Sequence, residues 1–184
     1  MITVASRRVS LEKLHQRYPA AVLFDVTSRG PEPWRRFSPF YPHGNIPIPF
    51  SPGQVSASVE GIWQGLKVFE RADVDCSCFT NTTMKGLKRS VRTHGPVLGH
   101  RQGIAGACLL SYAEARHTIY LPSYLWVLTH KMRDQLTELQ QQALERDVVL
   151  LDYETNCDLQ NLASPLSHAG LVKRYLEGYW PEEA

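Results

Sequence analysis

The chain has 184 residues, 43% of them hydrophobic and 21% charged, with a formal net charge of +2. That balance suits a soluble globular protein with enough residues for a real core, and it carries no global signature of a polyanion binder. There is no run of about 18 apolar residues to span a bilayer, and residues 1–8 lack the apolar stretch of a secretory signal, so a single cytoplasmic domain spanning 1–184, without membrane partners, is expected.

Residues 2–5 read as a short strand. Ser10 sits where an N-cap belongs, ahead of a helix to about Arg17. Residues 21–26, Ala-Val-Leu-Phe-Asp-Val, read as a buried strand bounded by turn residues. Seven of the twelve prolines then fall between 29 and 53, which predicts an extended loop. The loop also carries Trp34, Arg35, Arg36, Phe37, Phe40, Tyr41, His43 and Asn45, a set rich in recognition groups.

A helix is expected next, capped by Ser51 with Pro52, or by Ser56 or Ser58, and running to about Arg71. At about 100° per residue, Val59, Ile62, Trp63, Leu66 and Phe69 form its apolar face. Glu60, Gln64, Lys67 and Arg71 form a narrow polar stripe at one edge. Opposite the apolar face lie Ala57, Gly61, Gly65 and Val68. Each interior glycine costs about 1 kcal/mol of helix propensity, so close approach of another backbone or of a ligand is expected there. The polar stripe reads either as part of a pocket wall or as a solvated edge with ordinary helical spacing.

From Asn81 a second helix is expected through Arg92, ended by His94-Gly95-Pro96. It would align Lys85, Lys88, Arg89 and Arg92 as a basic stripe, either a phosphate holder or a solvated face. In Gly99-His100-Arg101-Gln102-Gly103 the flanking glycines would let backbone approach a ligand. Residues 111–131 read as helical with a break near Pro122, and 133–146 as a strong helix. Residues 148–151 read as a strand, and 165–177 as a last helix. Glu154, Asn156 and Asp158 follow the strand and would either line a site or cap and turn the chain. His168 reads as a packed or capping residue before a catalytic one. The count of elements gives an α+β fold, predominantly α-helical, with a few short strands.

Cys76-Ser77-Cys78 is CxC with no second ligand pair nearby, so no metal site is expected, and the four cysteines read as free thiols. Glycine fingerprints for nucleotides, a P-loop, a nucleophile elbow and HExxH are all absent.

Phe37-Ser38-Pro39-Phe40 and the run Ser58-Val59-Glu60-Gly61-Ile62-Trp63-Gln64-Gly65-Leu66-Lys67 resemble the NADAR, or YbiA-like, domain. That family carries an FSNF-like element and then Ser-Glu-x-Tyr-Phe-Gln-Ala-x-Lys. Gly99-His100-Arg101 looks like its later Gly-Arg element, Asp158 like an Asp near its C-terminal Trp-Gly, and residues 171–176 like its closing helix. Pro39 replaces the Asn of FSNF, Ser58 is displaced by one residue, Ile62 replaces an aromatic, and Leu159-Gln160-Asn161 replace Trp-Gly. The chain is thus a divergent relative in this comparison.

The resemblance implies a single, mainly helical NADAR-like domain that hydrolyses the N-glycosidic bond of a ribosyl-phosphate or ADP-ribosyl nucleobase compound, without metal or other cofactor. It implies Glu60, Lys67 and Asp158 as catalytic residues: Glu60 would stabilise an oxocarbenium-like ribose and take a proton from water, and Lys67 would hold phosphate or form a Schiff base with the opened sugar. Arg36 and Arg101 would clamp phosphate. Trp63 or Phe40 would stack on a base or wall the pocket, Asn45 and Asp158 would hold ribose hydroxyls, and Gln64, His100 and Asn156 would complete the contacts. The expected partner is a small-molecule nucleotide or ribosylated base, free or in a modified nucleic acid. Two alternatives stand beside it: a non-catalytic nucleotide- or ADP-ribose-binding module, and a nucleic-acid-binding protein using the basic stripe.

Overall fold

A computed structural model describes residues 1–181. In chain order the elements are β1 (Ile2–Ser6), α1 (Leu11–Arg17), β2 (Val22–Asp25), β3 (Ile46–Pro47), β4 (Val55–Ser56), α2 (Val59–Gly65) and β5 (Lys67–Phe69). They continue with α3 (Val91–His94), β6 (Val97–Arg101), β7 (Leu109–Leu110), α4 (Tyr112–Ala115), α5 (Leu121–Lys131), α6 (Arg133–Glu145), β8 (Val148–Asp152) and α7 (His168–Leu176). Contacts gather these into two units, one of residues 1–38 with the described residues from Met132 on, the other of residues 39–131.

The first unit is built on a parallel sheet of order β1-β8-β2. Leu150 of β8 pairs with Val4 on one side and Phe24 on the other. Val148-Val149-Leu150-Leu151 is apolar at every position and buried at every position, as a strand covered on both faces must be. Ala5, Leu14, Val149 and Leu151 pack together, joined by Val9, Tyr18, Ala21 and Leu23. Ser10 caps α1 by accepting from Lys13 N.

At the C-terminal end of β8 stands a buried polar clasp. Asp152 Oδ2 accepts from Ser167 Oγ at 2.8 Å and lies 3.0 Å from His168 Nδ1. His168 Nε2 lies 2.8 Å from Val26 O, and Ser167 caps α7 through Gly170 N. Both imidazole nitrogens are held and the serine is a cap, so His168 is a packed residue, as its sequence context predicts.

The second unit holds two small antiparallel sheets, β3-β4 and β5-β6-β7, around α2 and the nearly continuous helix from α4 to α5. Ser111 and Glu114 close a capping box at the start of α4. A π-turn over Arg116–Tyr120 separates α4 from α5 where a break near Pro122 is expected. Pro122 has no N–H to donate and crowds the carbonyl one turn back; a wider π register relieves that conflict.

The expectation of a predominantly helical chain is overturned: helix accounts for 37% of the residues and strand for 17%, in three small sheets. Two expected helices account for much of the difference. The helix expected to reach Arg71 stops at Gly65, because Lys67 and Val68 pair instead with His100 and Gly99 of β6. The helix expected through Arg92 survives only as the single turn α3. Asn81 Nδ2 donates to Lys85 O, its Oδ1 accepts from Thr83 N and Oγ1, and Met84 (φ +59°) and Gly86 (φ +69°) are left-handed. Such side-chain bonds offer the backbone an alternative to helix. The strands β4 to β7 run two to five residues, too short for alternation to show in sequence, and Gly99 interrupts β6.

Candidate active site

Helix α2 places the site. Its N-cap is Ser58, which accepts from Gly61 N at 3.0 Å, and Pro39 O accepts from Glu60 N at 2.8 Å. The two interior glycines answer close neighbours. A Cβ on Gly61 would fall 2.6 Å from Cys78 O and 2.9 Å from Ser56 Oγ; one on Gly65 would fall 2.2 Å from a Phe79 ring carbon. Close approach of protein is therefore their reason. Gly65→Ala is expected to destabilise the protein by about 1–3 kcal/mol, overpacking outweighing Ala's better helix propensity. Thermal denaturation checks this, and a raised Tm would reject it.

On the edge between these faces runs a hydrogen-bonded row. Gln64 Nε2 donates to Glu60 Oε1 at 2.8 Å, and Gln64 Oε1 accepts from Lys67 Nζ at 3.4 Å and from Arg89 N at 3.3 Å. Glu60 is 7% exposed, and Lys67 is half-buried. Lys67 sits on β5 rather than on the helix, yet the chain still delivers its ammonium to Gln64. Its Nζ also lies 5.8 Å from the centre of the Trp63 ring. Trp63 in turn packs on His100 at 3.8 Å, and on Tyr112 and Tyr120 at 5.6 Å, edge to face.

The electrostatics follow from burial. Desolvation raises the Glu60 carboxyl above its ordinary value of 4.5, against the opposing pull of the Gln64 bond, Lys67 and Lys88. Desolvation also lowers Lys67 below 10.5; Glu60 opposes this, and Arg89 and Lys88 add to it. Burial with Lys67 nearby pushes His100 down to about 3, so the ring is neutral at physiological pH. Both its ring nitrogens are buried without a hydrogen-bond partner among the described residues. A buried polar atom left so costs about 1–3 kcal/mol, which points to a polar ligand at this position.

Arg89 braces the row. Its guanidinium donates to Gln64 O near the end of α2 at 3.1 Å, to Lys67 O on β5 at 2.7 Å and to Asp73 O at 2.8 Å, tying the three segments together. The basic stripe is thereby taken apart. Arg89 is 7% exposed and committed to backbone, while Lys88 is exposed, with its Nζ 5.7 Å from the Phe40 ring centre.

Of the residues singled out from sequence, Glu60, Trp63, Gln64, Lys67 and His100 come together. Phe40 joins them through Lys88. Arg101 follows His100 on β6, so its side chain leaves the opposite face of the strand. There it pairs with Asp73 at 2.6 Å and donates to Ala107 O. Gly99 and Gly103 approach Leu110 O and Phe50 O, which are protein backbone and not ligand. Asn45 is exposed in a left-handed turn (φ +56°) ahead of β3. Arg36, Asn156 and Asp158 belong to the first unit. Arg36 lies in a 3₁₀ turn over Trp34–Phe37. Asn156 Nδ2 donates to Asn161 O and Ser164 O, and the exposed Asp158 accepts from Gln160 N, so both tie their own loop. Sequence reading missed the bracing role of Arg89, for which no local signal exists. It also missed Asp152, whose place at the end of an apolar strand, ahead of Ser167-His168, was a usable one.

No helix among the described residues is long and apolar enough to cross a membrane. No curated protein and no solved structure matches the chain. The profile of a family of unknown function, DUF6939, matches residues 6–172, and the chain belongs to that family.

Proposed function

We propose that the protein is a cytoplasmic N-glycosidase that hydrolyses the bond between a nucleobase-like leaving group and a ribosyl phosphate or ADP-ribosyl unit. The observation that carries this reading is the buried row Glu60–Gln64–Lys67, beside a neutral His100 whose ring nitrogens lack partners. The spacing of Glu60, Trp63, Gln64 and Lys67 shared with NADAR-like chains supports it in a second way. Four unpaired cysteines suit a reducing compartment.

Loss of the base leaves positive charge on the ribose C1′ and O4′. Glu60, as carboxylate, stabilises that charge and takes the proton of the attacking water. A carboxyl raised by burial exchanges protons more readily near neutral pH than an ordinary one. Gln64 orients it. Lys67, lowered by the same burial, holds the phosphate as the cation or attacks an opened sugar aldehyde as the amine. Trp63 and Phe40 offer ring faces to a base.

Incubation with a panel of ribosylated nucleobases and flavin precursors, read by mass spectrometry, tests the reading. Release of free base supports it; binding without release supports a non-catalytic nucleotide-binding module instead. For Lys67, borohydride is expected to trap a sugar adduct on the parent chain and not on Lys67→Arg; absence of an adduct during turnover assigns Lys67 to phosphate binding.

A further inference from the structure

A cavity of about 490 Å³ opens in the second unit, and its lining contains none of the Glu60 row. That volume lies within the range of small-molecule sites, about 300–1,000 Å³. Pro47, Pro49 and Phe50 form one part of the wall, and Pro122, Ser123 and Trp126 another. Among its lining residues there is no Lys, Arg, Asp or Glu. His117 is the one titratable side chain in that lining, and the rest is apolar or neutral, which favours a ligand whose entering part is neutral.

Three observations mark this cavity as built for a ligand. The first is Ser123, which is 2% exposed and whose Oγ has no hydrogen-bond partner among the described residues. Hydroxyls inside helices usually bond the carbonyl four residues back. Thr118, Thr129 and Thr137 do so here, to Glu114 O, Leu125 O and Arg133 O. Ser123 does not, and it lines the cavity. The second is Phe50, half exposed at a left-handed φ of +59° that aromatic residues seldom adopt. Its turn is pinned by Ile104 N, which donates to Ser51 Oγ at 2.9 Å, and by Gly103, which lies so close to Phe50 O that a Cβ there would fall 2.3 Å away. Strain held in place by its surroundings is characteristic of ligand clamps. The third is the π-turn over Arg116–Tyr120, which presents His117 and Thr118 to the cavity; such turns recur at functional sites. Trp126 is itself held by stacking on His130 at 4.5 Å.

We infer that this cavity binds a neutral, planar heteroaromatic molecule, its faces against Trp126, Phe50 and the prolines and a polar ring edge hydrogen-bonded to Ser123. The inference stands independently of the Glu60 reading.

The test uses the full chain labelled with ¹⁵N and titrated with lumichrome, quinazolin-4-one and hypoxanthine, with cyclohexanecarboxamide as a non-planar control. Saturable shifts confined to residues 47–50 and 117–126, with a heteroaromatic and not with the control, are expected. Ser123→Ala is expected to weaken that binding about tenfold while leaving the Tm of the free protein unchanged or raised, since it removes an unsatisfied group. Binding unaltered in Ser123→Ala overturns the inference. So does the absence of saturation at 1 mM for all three probes, or saturation by an aromatic-proline peptide in their place.

Discussion

Glu60→Gln is expected to abolish base release, with a loss of about 10²–10⁴-fold, while affinity for the intact ligand stays within a few-fold. The amide keeps the acceptor that Gln64 Nε2 uses and the shape of the side chain, but it cannot take a proton from water or offset a cationic ribose. Burial already opposes the charge on Glu60, so a neutral replacement suits its surroundings and the Tm is expected to move little. Single-turnover release followed by mass spectrometry, with calorimetric binding of the same compound, separates chemistry from recognition. Parental turnover in the variant would end the assignment of Glu60. In the parent chain, the acid limb of the rate profile should lie above 4.5, because the carboxyl is raised and loses its proton later as pH climbs.

Asp152→Ala is expected to cost about 3–5 kcal/mol, a large part of the stability of a chain this size. It strips His168, Ser167 Oγ and Ala169 N of their common partner in a site where Asp152 is 3% exposed. Hydrogen exchange at β1, β2 and β8 during urea unfolding reads the loss where it arises. Unchanged protection would show the clasp to be incidental. The same pair gives the pH dependence its sign. Burial by itself would raise Asp152 and lower His168; their mutual attraction and hydrogen bonds reverse both, holding Asp152 down at about 2 and His168 above 6.5. The Asp152 contribution is complete above its ordinary 3.8 and is lost as pH falls through about 2. The His168 contribution is complete below 6.5 and is lost as pH rises through its elevated value. Stability from this clasp should therefore be greatest between about pH 4 and 6.5, and Asp152→Ala should remove that maximum, because burial then acts on His168 without its main opposing partner.

The first unit was largely legible before any coordinates. Val148 to Leu151 is an unbroken apolar run, Ser10 marks a helix start, and the helix from Arg133 is rich in Leu, Gln and Glu. These signals are local, and tertiary contacts agree with them. The second unit was harder. Its strands are short, and its polar turns imitate helix starts, as Asn81-Thr82-Thr83 does. Within the site, the grouping of Glu60 with Gln64 followed from helical spacing alone. Lys67 was placed correctly beside Gln64 for an incorrect reason, since a strand and not a helix brings it there.

By itself the sequence determined the buried apolar strands, the cap of α1, the need for a close neighbour at the two glycines of α2, and the shared edge of Glu60 and Gln64. All of these depend on residues near one another in the chain, where periodicity and stereochemistry act directly. Only the tertiary structure decided that Arg89 would tie α2 to β5, that His100 would lie neutral against Trp63, that Asp152 would meet His168, and that Arg101 would turn toward Asp73. These pairings join residues 16 to 37 positions apart. Burial, which sets whether each of those groups keeps its charge, exists only once the distant segments have come together.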